Sequence, residues 1–202
     1  MSDYFPDYFQ KVEESASFLK SKVSSGPVLA IVLTGGVDGP VNELKNVQEI
    51  SAKDIPNFPT ARAEGHSGKL IFGELNGVQI VVLKGRYHYY EGHLAQDVVF
   101  PYFVLERIGV KSLITTNAVG GIRNDLNAGD IMMLQDHINY MGQNPLRGIA
   151  IQRKTDQFTD MTEPYSKEYS KIAEEEAIRL GIDLKKGVYI ATSGPSYETK
   201  SE

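Results

Sequence analysis

Cysteine is absent from the 202 residues. That gap removes disulfides, thiolate catalysis and cysteine-ligated metals from consideration. Basic residues are in no excess: 21 Lys and Arg stand against 26 Asp and Glu, giving a net charge of −5 and a pI near 5.5. A nucleic-acid binder would carry a basic footprint, so no nucleic-acid partner is expected, and only a small local anion site is left open. No apolar run approaches a membrane span, and no membrane partner is expected. The opening stretch "MSDYFPDYFQKVEE" is acidic and lacks the apolar segment of a secretory signal. The expectation is a cytoplasmic protein. Repeats, low-complexity tracts and linkers are missing as well. With 41% apolar and 23% charged residues, the composition is that of an ordinary globular chain. The length suits one large domain or at most two small ones, and a single domain over 1–202 is expected.

The pattern along the chain predicts alternating helices and strands. Tyr8, Val12, Ser15 or Ala16, and Leu19 fall at helical spacing within 5–23, and Gly26-Pro27 ends the run. "VLAIVL" (28–33) reads as a buried strand. "GKLIFGELNGVQIVVLKG" holds two strands around Asn76-Gly77, a pair suited to a type I′ turn because both central residues take φ > 0. Residues 94–108 read as a helix closed by Gly109. "KSLITT" (111–116), "GDIMMLQDHINY" and "GVYIAT" read as further buried core strands, and 142–160 as a polar loop. "PYSKEYSKIAEEEAIRLG" reads as a helix, with Pro164 near its start and Gly181 as its C-terminal cap. The predicted class is α/β, a mixed central β-sheet flanked by helices.

Polar, glycine-containing loops follow the strand ends at 33, 83, 116 and 192. Ligands of α/β sheets bind outside the carboxyl ends of strands, so these loops converge on one crevice or are simply polar because loops are. "GRYHYYEG" is the richest of them. Arg86 offers a planar fork of donors for an oxyanion. In an extended segment His88 and Tyr90 share its side, while Tyr87 and Tyr89 take the other. "TNAVGG" (116–121) has small residues that let backbone N–H groups approach an anion, though a plain turn has the same composition. "EGHSGK" carries His66 between glycines. "TGGVDG" lacks the lysine of a P-loop and the spacing of a dinucleotide fingerprint. "DHINY" offers Asp136 and His137 with no further ligand at metal spacing. Both read as structural. "SGPSYETKSE" joins an aromatic, Tyr197, to a carboxylate, Glu198. That pair suits a flat heterocycle, and equally a loop entering a helix N-terminus.

In order along the chain, "IPNFPTARAEGHSGKLIFGELNG", "GRYHYYEGH", "TNAVGGI", "GDIMMLQDHINYMGQNPLRG" and "GPSYETKSE" resemble the trimeric purine nucleoside phosphorylases specific for 6-oxopurines. The resemblance runs from about residue 28 to Glu202. The related methylthioadenosine phosphorylases share the fold, but "GRYHYYEGH" and "SYETK" fit them poorly. The resemblance implies a nucleoside phosphorylase-like fold and a homotrimer. It implies phosphate-dependent cleavage of inosine, guanosine and their deoxy forms to free base and pentose 1-phosphate, in purine salvage. Inorganic phosphate is then a co-substrate, and no cofactor or metal is implied. Carried over by position, Arg86, His88, His66, Asn117 and the backbone N–H of Ala118 surround the phosphate. Glu91 orients His88 or contacts the phosphate region, and these two are the catalytic pair. Tyr90 contacts the ribose, Tyr197 stacks on the purine, and Glu198 binds its edge. Phe158 reaches into a neighbouring subunit's site.

This chemistry relies on positioning and electrostatics. An ionised Glu198 accepts from N1–H of hypoxanthine or guanine, whereas adenine turns a lone pair toward it, a mismatch that rejects strongly. Two departures from the family pattern stand out. In "LTGGVDG" the place of the family's phosphate-binding serine falls at Gly35, with Thr34 beside it; the two are carried over to the phosphate site, where either Thr34 substitutes for the serine after a small backbone shift or one phosphate donor is missing. The given sequence also stops at Glu202, where the resemblance implies further strands with ribose and leaving-group contacts and a final helix. Two expectations follow: a purine nucleoside phosphorylase, or a shortened, non-catalytic homologue that binds phosphate or purine only.

Overall fold

The computed structural model describes residues 5–33, 36–59, 68–153 and 158–202. The chain forms two units, one spanning Met1–Ala118 with Pro145–Thr155, the other Val119–Asn144 with Asp156–Glu202. The first contains α1 (Tyr8–Lys22), β1 (Leu29–Leu33), the short α2 (Gly39–Asn42), β2 (Lys45–Ser51), β3 (Lys69–Leu75), β4 (Val78–Lys84), α3 (Ala95–Ile108) and β5 (Ser112–Thr115). The second contains β6 (Met132–Asn139), α4 (Lys167–Leu180) and β7 (Lys185–Ala191).

The first unit is built on a mixed five-stranded sheet in the order β2-β3-β4-β1-β5. β1 runs parallel to β4 and β5, and β3 is antiparallel to β2 and β4. Strand alternation sorts the apolar residues onto two faces. Ala30, Val32, Leu70, Phe72, Val81 and Leu83 join one core cluster, while Ile31, Leu33, Ile71, Ile80 and Val82 join the other. The first face is covered by α1 and α3, through Tyr8, Val12, Ala16 and Leu19 on one helix and Phe100, Val104, Leu105 and Ile108 on the other. Each such aliphatic side chain, fully buried, contributes about 1.5–3 kcal/mol. The Tyr8 hydroxyl, buried with its ring, donates to the Gln96 carbonyl at 2.7 Å. Ser15 donates to the carbonyls of Lys11 and Pro56 at 2.9 and 2.6 Å.

Local chemistry sets the boundaries as predicted. Asn76 and Gly77 take φ of 50° and 83° and turn β3 into β4. α3 begins with the Asp97 carboxylate accepting from the Leu94 N–H at 3.2 Å and ends at Gly109 with φ 115°. In the second unit, Ser166 caps α4 by accepting from Tyr169 N–H, and Gly181 closes it with φ 67°.

Three strands depart from expectation. β5 pairs with β1 as the last strand of its sheet, but Leu113 and Ile114 are 44% and 46% exposed, so it is not a buried core strand. β6 and β7 pair in parallel as a two-stranded sheet, and neither is a core strand: Ile131, Ile138 and Val188 are all exposed. Two strands and one helix enclose too little volume to bury an apolar run, and among the described residues of that unit only Ala177 is buried. The segment 142–160 is less of a free loop than its composition suggests. Ile149 is fully buried in the first unit, and the Arg147 carbonyl accepts from Gln96 at 2.9 Å. Among the described residues no helix is long and apolar enough to cross a membrane.

Candidate functional site

The parallel pairing of β1 with β4 and β5 brings the carboxyl ends of three strands side by side, with Leu33 opposite Lys84 and Val32 opposite Thr115. Thr116 continues the ladder, its N–H and hydroxyl both donating to the Val32 carbonyl, at 2.9 and 3.1 Å. β4 is followed by Gly85, whose φ of 96° turns the chain out of the strand. The next residue, Arg86, crosses to β5 and donates from Nη1 to the Thr116 carbonyl at 2.7 Å. One bond fixes the guanidinium at the strand ends and leaves the rest of its fork of donors for another acceptor. After β1, Asp38 pairs with Lys84 at 2.9 Å, tying that loop to the same edge.

The expected extended face of Arg86, His88 and Tyr90 is only partly extended. His88 has β geometry (φ −111°, ψ 143°), but Tyr89–Glu91 forms a turn of 3-10 helix. Tyr87 points inward and is buried, while Tyr90 is exposed. His88 and Tyr90 do meet, stacked with centroids 4.9 Å apart at 19°. The tight turn, rather than strand alternation, brings them together. It also carries Glu91 back toward His88, with Oε1 2.7 Å from Nδ1. The Glu91 side chain is 4% exposed. A buried carboxylate is costly unless it is paired, and this one lies against the imidazole. It also acts at a distance: burial first, then the Glu91 charge, pushes the Tyr87 phenol up to about 12. Burial likewise raises the Tyr102 phenol, opposed by the nearby Arg86 charge.

Of the other residues expected at phosphate, Asn117 and Ala118 follow Thr116 directly and are exposed. Thr34, Gly35 and His66 lie outside the described residues. In the second unit, β7 leads into Thr192, whose hydroxyl donates to Glu198 Oε1 at 2.7 Å. That hydrogen bond, helped by a backbone one, holds the Glu198 carboxyl below its ordinary range. Tyr197 beside it is 95% exposed and Phe158 is 86% exposed. His137 is engaged by Tyr165, with 3.2 Å from Nδ1 to the hydroxyl. Among the described residues no cluster of His, Asp and Glu is arranged for a metal.

Two partners had no signal in the sequence. Thr192 precedes Glu198 by six residues, a spacing that no repeating element predicts. His93, buried and 3.6 Å from Glu91 Oε2, looks like any loop histidine until the turn at 89–91 is known.

Comparison with known proteins extends this geometry. A sequence model of the phosphorylase superfamily matches residues 30–202. Purine nucleoside phosphorylase 1 of Geobacillus stearothermophilus is 42% identical over 191 residues, covering 95% of this chain and 70% of that protein. The purine nucleoside phosphorylase of Bos taurus is 36% identical over 199 residues, covering 96% and 69%. A crystal structure of the purine nucleoside phosphorylase from Schistosoma mansoni in complex with acetate aligns with a TM-score of 0.83 at 32% identity, covering 94% of this chain and 72% of that one.

Proposed function

We propose that this chain, which belongs to the purine nucleoside phosphorylases of the phosphorylase superfamily, cleaves the N-glycosidic bond of inosine, guanosine and their deoxy forms with inorganic phosphate. The products are the free base and a pentose 1-phosphate. The observation that carries this reading is the cluster at the strand ends: Arg86 anchored on Thr116, and His88 bound to the buried Glu91 carboxylate. Arg86 supplies a fixed positive fork and His88 a second donor, and both suit a phosphate oxyanion. With Nδ1–H held by Glu91, the outer nitrogen of the ring is the one that faces the ligand. Asn117, the Ala118 N–H, Thr34, Gly35 and His66 are assigned to the same anion.

Phosphorolysis then proceeds by attack of a phosphate oxygen on the anomeric carbon as the bond to the purine breaks. The sugar becomes oxocarbenium-like and negative charge gathers on the departing base. Glu91 keeps His88 oriented. Tyr90, stacked on His88, takes the ribose. Tyr197 offers a bare ring to the purine. Glu198, its carboxyl held below the ordinary range by Thr192, accepts N1–H of a 6-oxopurine, an arrangement that adenine cannot satisfy. We assign the exposed Phe158 to the site of a neighbouring subunit in a homotrimer. We further propose that residues 1–202 belong to one catalytic domain, that phosphate is required and no cofactor is, and that the protein works in the cytoplasm in purine salvage.

The test is release of hypoxanthine from inosine by the purified protein with and without phosphate. Phosphate-dependent release supports the reading. Release that is indifferent to phosphate, or none at saturating inosine and phosphate, overturns it.

A further inference from the structure

His93 is a buried ionisable side chain for which phosphorolysis supplies no task. It follows Gly92, whose φ of 88° ends the 3-10 turn and sends the chain back toward it. Its ring stands edge-on to Tyr87, with centroids 5.5 Å apart at 73°. The side chain is 3% exposed, and Nε2 is buried with no hydrogen-bond partner. Glu91 Oε2 lies 3.6 Å from that nitrogen, while Oε1 is 2.7 Å from His88 Nδ1. The carboxylate therefore has an imidazole against each oxygen. Tyr87, its phenol pushed up to about 12, is neutral near pH 7 and brings no charge to this cluster.

We propose that His93 is a positioning residue for His88: its Nε2–H donates to Glu91 Oε2 and fixes the carboxylate, so that Oε1 holds His88 Nδ1–H. A buried imidazole nitrogen without a partner costs free energy, and Glu91 Oε2 is the carboxylate oxygen beside it. A contact between the two removes that cost. At 3.6 Å the pair is a few tenths of an ångström too far for a good hydrogen bond. Contacts of this kind are commonly long in ligand-free sites and tighten when the ligand arrives. An anion accepting from the outer nitrogen of His88 polarises the ring, strengthens the pull of Nδ1–H on Oε1, and so tightens the whole row. No proton changes owner, and the effect is one of geometry and charge. The use of the relay in phosphate binding rests on the function proposed above, whereas the relay itself does not.

The experiment uses the purified protein with ¹⁵N-labelled histidine, whose four residues give few signals. His93→Phe keeps the ring edge on Tyr87 and His93→Leu keeps the bulk, and both remove the donor, so one folded variant suffices. His93→Gln restores an N–H donor. In the donorless variants exchange of the His88 Nδ1–H proton is expected to quicken about tenfold, and the phosphate KM to rise about tenfold with a smaller change in kcat, as loss of one charge-assisted contact implies. His93→Gln should return both to within about threefold. Unchanged exchange in the donorless variants overturns the relay. So does a His93→Gln protein as impaired as they are, since packing alone would then be responsible. If the parent releases no purine while exchange still follows the donor, the phosphorolysis reading falls and the relay stands.

Discussion

The two units present their polar residues in opposite ways. In the first, the central strands β1, β3 and β4 bury side chains on both faces, and the groups at the carboxyl edge are bonded before any ligand arrives: Arg86 to Thr116, His88 to Glu91. In the second, two strands and one helix bury only Ala177 among the described residues. Its surface is joined by ion pairs such as Lys186–Glu174 at 2.7 Å, and Tyr197, Glu198 and Phe158 all face solvent. The difference follows from the chemistry of the two proposed ligand parts. Phosphate is small and fully charged, so a rigid cluster of donors supported by a core gains most from being prearranged. A purine is broad and mainly apolar, and an exposed ring gains area only when the base lies on it. In the function proposed above, bonded anion groups on the first unit and exposed stacking groups on the second take different parts of the substrate.

The largest test of that contrast is Leu105→Ala in α3. Leu105 is 2% exposed within the main core, and the cavity should cost about 2–5 kcal/mol. Denaturant unfolding followed by tyrosine fluorescence reads it. A loss below about 1 kcal/mol would show that the first unit is not the firm half.

Next is Arg86→Ala. Removing the charge-assisted donor should weaken phosphate by about ten- to a hundredfold, some 1.5–3 kcal/mol, and leave purine binding within about twofold. Calorimetric titration with phosphate, then with hypoxanthine, separates the two. Equal losses on both ligands would mean that the two regions do not divide the substrate.

How far the sequence reaches divides along similar lines. Features encoded by residues close in the chain were legible: the Asn76-Gly77 turn, the Tyr8-Val12-Ala16-Leu19 stripe, and the caps at Gly109 and Gly181. Arg86, His88 and Glu91 were legible as a motif, and the structure adds the bond that joins the last two. Burial was misjudged for β5, β6 and β7 because an apolar, β-branched run predicts a strand, whereas burial depends on what lies on each side of it. The 3-10 turn at Tyr89–Glu91 was missed because three residues carry no period to detect. Thr192 and His93 were missed because a partner is defined by distance in space.

A smaller effect is expected from Thr192→Val, which deletes the hydroxyl that donates to Glu198. That bond is the chief reason the Glu198 carboxyl sits below its ordinary range. With a lowered value the carboxylate persists to more acidic pH. Removing the donor raises the value, so the acid limb of inosine kcat/KM should move to higher pH. At neutral pH the loss should be roughly fivefold or less, about 1 kcal/mol for one net hydrogen bond. An unmoved acid limb would separate Thr192 from the ionisation that the assay reads.

The smallest change expected is at Ile178 in α4, the mirror of Leu105 in α3. Both are large aliphatic residues on a helix of 14 residues, but Ile178 is 81% exposed. Truncating it to Ala removes little area from contact with protein. Ala is also the better helix former, by a few tenths of a kcal/mol. Stability should therefore stay within about 0.5 kcal/mol of the parent, on the stabilising side if it moves at all. Thermal unfolding at two protein concentrations checks this. A loss above about 1 kcal/mol that grows with concentration would show that a second copy covers Ile178. The lightness of the second unit would then belong to the isolated chain, and the contrast between a firm anion half and an adaptable purine half would have to be redrawn around the assembly.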